Sequence, residues 1–201
     1  MPQTARHRRW RLILALLAGL PFVPELAIRL VAALGRALAC DPAAAAPCML
    51  GPLSLGLLLK PAIQAAVGVA AVLGFGGILV WLWLGFLAVH RGFPRLAHRL
   101  VLAFLLTTIF AYLPYLVPSL AIADLMHADC QPHDAGVGAC WIYGTAMGRA
   151  PNEAQVVQWF AFTGGPLALI MFAIYAFIAA IPRDSAHDGA PPSGPGSVAP
   201  P

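Results

Sequence analysis

Charge is scarce in this 201-residue chain. Ten per cent of its residues are Asp, Glu, Lys or Arg, against roughly a quarter in soluble domains. Sixty per cent are hydrophobic and the mean hydropathy is +0.80, which excludes an ordinary soluble domain. The signatures of common catalytic sites are missing too: there is no GxGxxG, Walker A, HExxH or GxSxG, so no catalytic residue and no cofactor is assigned. Cysteine is absent from the long apolar runs and from the arginine-rich segments, and all four cysteines lie in two polar loops. Basic residues are few in those same loops, which hold Asp41, Asp124, Asp129, Asp134 and Glu153.

What is present is apolar sequence in lengths that cross a bilayer. A hydrocarbon core about 30 Å thick needs on the order of 20 residues of helix. Four such runs are expected, Trp10–Val31, Ile63–Val89, Val101–Ala123 and Val156–Ile181. Helix is the expected form because an open sheet edge in lipid leaves backbone groups unpaired. The fold class is therefore all-α: a polytopic membrane protein of four transmembrane helices over residues 1–182, followed by a disordered tail at 183–201 that is too poor in apolar bulk to fold.

The formal net charge of +4 is a matter of topology and does not call for nucleic acid. Eight of the twelve basic residues, Arg6, Arg8, Arg9, Arg11, Arg91, Arg95, Arg99 and Arg183, sit at the N-terminus, in the middle loop and in the tail. Those segments are expected in the cytoplasm, with both termini inside and the cysteine loops on the opposite face. Cysteines confined to that face fit an oxidising compartment, so the expected location is a bacterial inner membrane with its loops in the periplasm. Met1–Leu20 has the look of a secretory leader, but Pro21, Pro24, Glu25, Arg29 and Arg36 interrupt it, and the first span is expected to be retained.

The chain repeats itself. Cys40-Asp41-Pro42 and Cys48 are echoed by Cys130-Gln131-Pro132 and Cys140, and Val23-Pro24-Glu25-Leu26-Ala27-Ile28 by Val117-Pro118-Ser119-Leu120-Ala121-Ile122. Gly76-Gly77 answers Gly164-Gly165. The offsets, 94 from Val23 to Val117, 90 and 92 between the cysteines and 88 between the glycine pairs, are nearly constant. A tandem duplication with small insertions leaves that pattern. Two pseudo-repeated hairpins, about residues 10–90 and 100–182, are expected, each closing its own loop by Cys40–Cys48 or Cys130–Cys140, although four cysteines allow three pairings.

Inside the spans, Glu25 and Arg29 are four apart, a spacing that places them on one helix face as a mutually neutralising intramembrane pair or, in a functional reading, a substrate or proton site. Ala66, Ala70 and Gly74 recur every fourth residue and make a smooth ridge for a close helix neighbour, within the chain or in a second copy. Met49–Lys60 is leucine-rich but broken by glycine and proline, so it is expected at the membrane interface, with Pro61 opening the next helix. His127, Cys130 and His133 have metal-compatible spacing, but an oxidised Cys130 is no ligand and the first loop has no histidine.

Four spans with paired cysteines in both outer loops resemble, in topology, the quinone-linked disulfide bond formation proteins of bacterial inner membranes, and small four-span inner-membrane proteins of unassigned activity. The first family carries Cys-x-x-Cys in its first loop, whereas seven residues separate Cys40 from Cys48, so its electron relay transfers to no residue here. Three functions follow as expectations. The first is a non-enzymatic packing or assembly partner in contact with lipid and with another membrane protein. The others are a membrane thiol–disulfide oxidoreductase and a small-solute transporter drawing on Glu25, Arg29, Gln64 and Thr163.

Overall fold

The computed structural model describes residues 3–127, 130, 132–133, 136–137 and 140–181. Helix α1 (Gln3–Gly19) runs into α2 (Val23–Ala37) through a 3-10 turn at Leu20–Phe22. Pro21 lies in that turn and Pro24 in the first turn of α2; neither can donate a backbone hydrogen bond, so the α-helical ladder is interrupted there. A two-residue hairpin, β1 (Met49–Leu50) with β2 (Leu53–Ser54), precedes α3 (Leu55–Val72). A π turn at Leu73–Gly77, where Phe75 and Gly76 leave helical dihedrals, joins α3 to α4 (Ile78–Gly92). Then come α5 (Leu96–Ala123), the hairpins β3–β4 (Pro132–His133, Gly136–Val137) and β5–β6 (Trp141–Ile142, Thr145–Ala146), α6 (Ala150–Val156), a 3-10 turn and α7 (Ala161–Ala180).

Four of these helical stretches, Ala5–Ala37, Leu55–Gly92, Leu96–Ala123 and Ala150–Ala180, are long and apolar enough to cross a membrane. The last three are apolar nearly all round, whereas Ala5–Ala37 carries several arginines. The packed face is set by periodicity: in α5 the buried side chains are Ala103, Leu106, Thr107, Phe110, Ala111, Pro114, Tyr115, Pro118, Ala121 and Ile122, one stripe at helical spacing. Exposed leucines and phenylalanines such as Leu12, Leu16, Phe104, Phe162 and Phe177 cover the other faces.

The second stretch starts earlier than expected. Pro61 lies inside α3 and does not open it, and Leu55–Lys60 is helical. Pro61 deprives only the Leu57 carbonyl of its helix donor, and Leu57 is on an exposed face where the gap can be met by solvent. At about 1.5 Å per residue, Leu55–Gly92 measures about 57 Å, well beyond the hydrocarbon thickness. The stretch is thus longer than a single crossing needs.

Two clusters make the interior. One, at the arginine end and middle, joins Leu82, Phe86, Phe110, Tyr115 and Tyr175. The other, at the cysteine end, joins Ile28, Leu59, Ile63 and Ile122 to Cys130, Cys140, Ile142 and Tyr143. The loops thus share a core with the helix ends. The Ala66–Ala70–Gly74 ridge is used within the chain: Ala66 and Ala70 are fully buried, and the Phe160 ring occupies the notch at Gly74. Gly164 and Gly165 lie in regular helix, with Tyr115 and Tyr112 packed on them, while Gly76 and Gly77 form part of the π turn.

At the arginine end, the first helix is tied to the α4–α5 turn. His7 Nδ1 donates to the Arg91 carbonyl (3.0 Å) and Arg11 Nε to that of Gly92 (3.4 Å). The Arg91 guanidinium stands 4.9 Å from the Trp10 ring centre and that of Arg11 5.0 Å from Phe93, the geometry of cation–π contacts.

Candidate functional site

The polar loops at the cysteine end form one interlocked cap. Cys40 is bonded to Cys48 and Cys130 to Cys140, with Cα separations of 6.0 and 4.4 Å. Each second cysteine heads a hairpin of the same design. Met49 pairs with Ser54 and Leu50 with Leu53 after Cys48; Trp141 pairs with Ala146 and Ile142 with Thr145 after Cys140. Both hairpins close on the cysteine seven residues back, Leu55 N–H donating to Cys48 O (2.9 Å) and Met147 N–H to Cys140 O (2.8 Å).

The second hairpin is wedged between the first disulfide loop and the start of α3. Tyr143 N–H donates to Pro42 O (3.0 Å), Lys60 Nζ donates to Ala146 O (3.0 Å), and the hydroxyls of Ser54 and Thr145 lie 3.4 Å apart. The Tyr143 ring lies against Gly35 of α2, where any larger residue would collide with it. Gly56 makes the same allowance for Thr145 and the Ile142 carbonyl. Burial pushes the Tyr143 phenol above its ordinary range, with Arg36 acting in the opposite sense, so the group stays a neutral hydroxyl. The first loop is shaped locally by Asp41, whose Oδ1 accepts from Ala43 N–H (2.9 Å).

Access to sulfur is uneven. Cys130 and Cys140 are 0 % and 1 % exposed, Cys48 is buried, and Cys40 is half-buried. Around the rim the cap leaves Met49, Leu50, Leu53 and Trp141 exposed.

The metal-compatible triplet is not available as such. Cys130 is consumed in its disulfide, with His127 Nδ1 3.7 Å from its Sγ, and a disulfide sulfur is no thiolate ligand. The side chain of His133 lies outside the described residues, as does the expected tail at 183–201. Among the described residues no cluster of three His, Cys, Asp or Glu side chains is placed to hold a metal.

Glu25 and Arg29 do not pair. Glu25 is 2 % exposed and neither carboxyl oxygen has a hydrogen-bond partner, while Arg29 is exposed. Residues four apart on a helix are offset by about 40°. The buried stripe of α2 runs through Glu25, Ile28, Val31, Ala32 and Gly35. Glu25 is at its border and turns in; Arg29 falls outside it, and its long side chain can extend toward water. Gln64 and Thr163 are also exposed, and Thr163 Oγ1 donates to its own helix at Phe160 O (3.1 Å). The four polar residues of the transporter reading therefore do not converge.

Sequence reasoning missed Tyr143, Gly144 and Lys60 as the cap's fastenings. One signal was present: Tyr143-Gly144 between Trp141-Ile142 and Thr145-Ala146 has the glycine of a tight hairpin turn. No protein family, curated protein or solved structure matches this chain.

Proposed function

We propose that this chain is a non-enzymatic assembly partner in a bacterial inner membrane, presenting a rigid, disulfide-stapled cap to the periplasm from four spans with both termini in the cytoplasm. The observation that carries this reading is the fastening of the second hairpin to the first loop and to α3, with an apolar rim of Met49, Leu50, Leu53 and Trp141 left uncovered. Apolar side chains held exposed on a rigid support are the ordinary makings of an interaction surface. The same reading takes the two halves as a tandem duplication, supported by the equal registers of the two hairpins and their equal closing hydrogen bonds.

The oxidoreductase reading asks for a disulfide that an incoming thiolate can reach, and three of the four sulfurs are buried. Transport asks for polar groups gathered near mid-membrane, and of the four candidates Glu25 alone faces inward.

A photo-crosslinking residue placed at Leu50, Leu53 or Trp141 in living cells tests the assembly reading, with the lipid-facing Val80 as reference. The rim positions are expected to give a discrete protein adduct that Val80 does not. Adducts to lipid alone at all four positions would remove the reading.

Orientation is tested separately. The clustering of arginines at one end and acidic residues at the other places reporter fusions after His90 in the cytoplasm and fusions near Pro42 in the periplasm. Periplasmic activity after His90 would reverse the topology.

A further inference from the structure

Glu25 is an anomaly of the bundle. The other described acidic side chains, Asp41, Asp124 and Glu153, are exposed, whereas Glu25 is enclosed where α2 packs on α3 and α5. No charge faces it from the surrounding elements. Arg29 and Arg36 of its own helix are exposed, and Lys60 of α3 is bonded to Ala146 O. On α5, the Tyr115 and Tyr112 hydroxyl ends are beside Gly164 and Gly165 of α7, and His98 and Arg99 are at the opposite end. The Leu20–Phe22 turn has no titratable side chain.

Depth follows from the aromatic contact next to it. Phe22 and Phe110 have ring centres 5.9 Å apart, and α2 and α5 both run from the arginine end toward the cysteine end. Glu25 is then about 4.5 Å beyond that contact and Pro114 about 6 Å beyond it. Glu25 is thus level with the stretch of α5 where buried Pro114 and Pro118 withhold donors from the carbonyls of Phe110 and Pro114. A cleft of about 440 Å³, lined by Leu20, Pro21, Ala65, Gly68, Val72 and Trp81, lies about one helical turn, or about 6 Å, to the arginine side of Glu25. Its buried wall residue Pro21 precedes Glu25 by four positions.

We propose that Glu25 is a proton-binding site inside the membrane, reached from the lipid phase by way of this cleft. An unpaired carboxylate taken out of water carries a penalty of several kcal/mol, and neither carboxyl oxygen has a partner to offset it. No cationic side chain of the surrounding elements faces the carboxyl, so the ligand is the smallest cation, the proton. In that form the group can add to a carbodiimide, and at this depth it is open to a lipid-soluble one in preference to a water-soluble one. The acid O–H adds across one C=N bond: the proton goes to nitrogen and the carboxyl oxygen bonds to the central carbon. The acyl group then migrates from oxygen to nitrogen, giving a stable N-acylurea with no leaving group and no redox change.

The experiment treats the full chain in liposomes with dicyclohexylcarbodiimide or with a water-soluble carbodiimide and maps the adducts by mass spectrometry. The lipid-soluble reagent is expected to modify Glu25, with the yield falling as pH rises, while the water-soluble reagent leaves Glu25 unmodified. Glu25→Gln is expected to lose the adduct with both disulfides intact. The wild-type map decides the matter even where that variant fails to accumulate. An unmodified Glu25, or equal modification by both reagents, would overturn the proposal. Protection of Glu25 by sodium at constant ionic strength and pH would overturn the assignment to a proton.

Discussion

Gly144→Ala is expected to free the second hairpin from the cap, while Gly51→Ala, in the matching turn of the first hairpin, is expected to be much milder. Both glycines have left-handed backbone, φ 69° at Gly144 and 62° at Gly51, and alanine there costs about 1–2 kcal/mol. Their surroundings differ. A Cβ at Gly51 meets nothing within 4 Å, whereas one at Gly144 would lie 2.5 Å from Pro47 N and 2.6 Å from the Ala46 carbonyl carbon. Those are backbone atoms of a loop pinned by the Cys40–Cys48 bridge, so they cannot turn aside as a side-chain tip would. The hairpin must move instead, placing at risk the Tyr143–Pro42 and Lys60–Ala146 hydrogen bonds, each worth about 1 kcal/mol. Gly144→Ala should therefore lower stability by about 3 kcal/mol, against about 1–2 kcal/mol for Gly51→Ala. Unfolding in mixed micelles with increasing SDS fraction measures both. Equal losses would mean that the hairpin is not seated on the loop.

The large features of this architecture were legible because they rest on one strong physical demand. Four apolar runs appear in the sequence and four long apolar helices in the structure, since a helix satisfies its backbone within its own segment, as an apolar surround requires. The cysteine pairs were legible for a related reason, the likeness of the two loops. What was not legible depended on tertiary contact. The matched hairpins are only two residues per strand, too short to leave an alternating pattern. Tyr143 acquires its role from Gly35, more than a hundred positions away, and a glycine in a helix announces no partner. Glu25 and Arg29 were misjudged because spacing by four places residues near one another without saying which side of a buried border each falls on. Leu55–Lys60 was misjudged because glycine and proline weigh against helix locally, although the cap holds both Ser54 and Lys60 in place.

Removing the two disulfides is expected to have unequal consequences although the loops they close are alike, with sequence separations of 8 and 10. Restricting an unfolded loop of that size is worth about 2–3 kcal/mol in either case. The difference comes from burial. Cys130 and Cys140 are part of the core that holds Ile142 and Tyr143, so the double change of this pair to alanine also empties packed volume, adding on the order of 1 kcal/mol or more. Cys48 belongs to the same core, but Cys40 is only half-buried against it, so the Cys40–Cys48 pair empties less packed volume and should cost less. Reduction of the folded protein should show the same order. Because exchange requires a thiolate to reach a sulfur, a membrane-impermeant reductant should open Cys40–Cys48 first and leave Cys130–Cys140 closed until the cap unfolds. Differential alkylation with peptide mapping reads both bridges at once. Fast opening of Cys130–Cys140 in the folded state, or a trapped species joining Cys40 to Cys130, would mean that the cap moves enough to pass electrons between its loops, and the thiol–disulfide oxidoreductase reading would then replace the structural one.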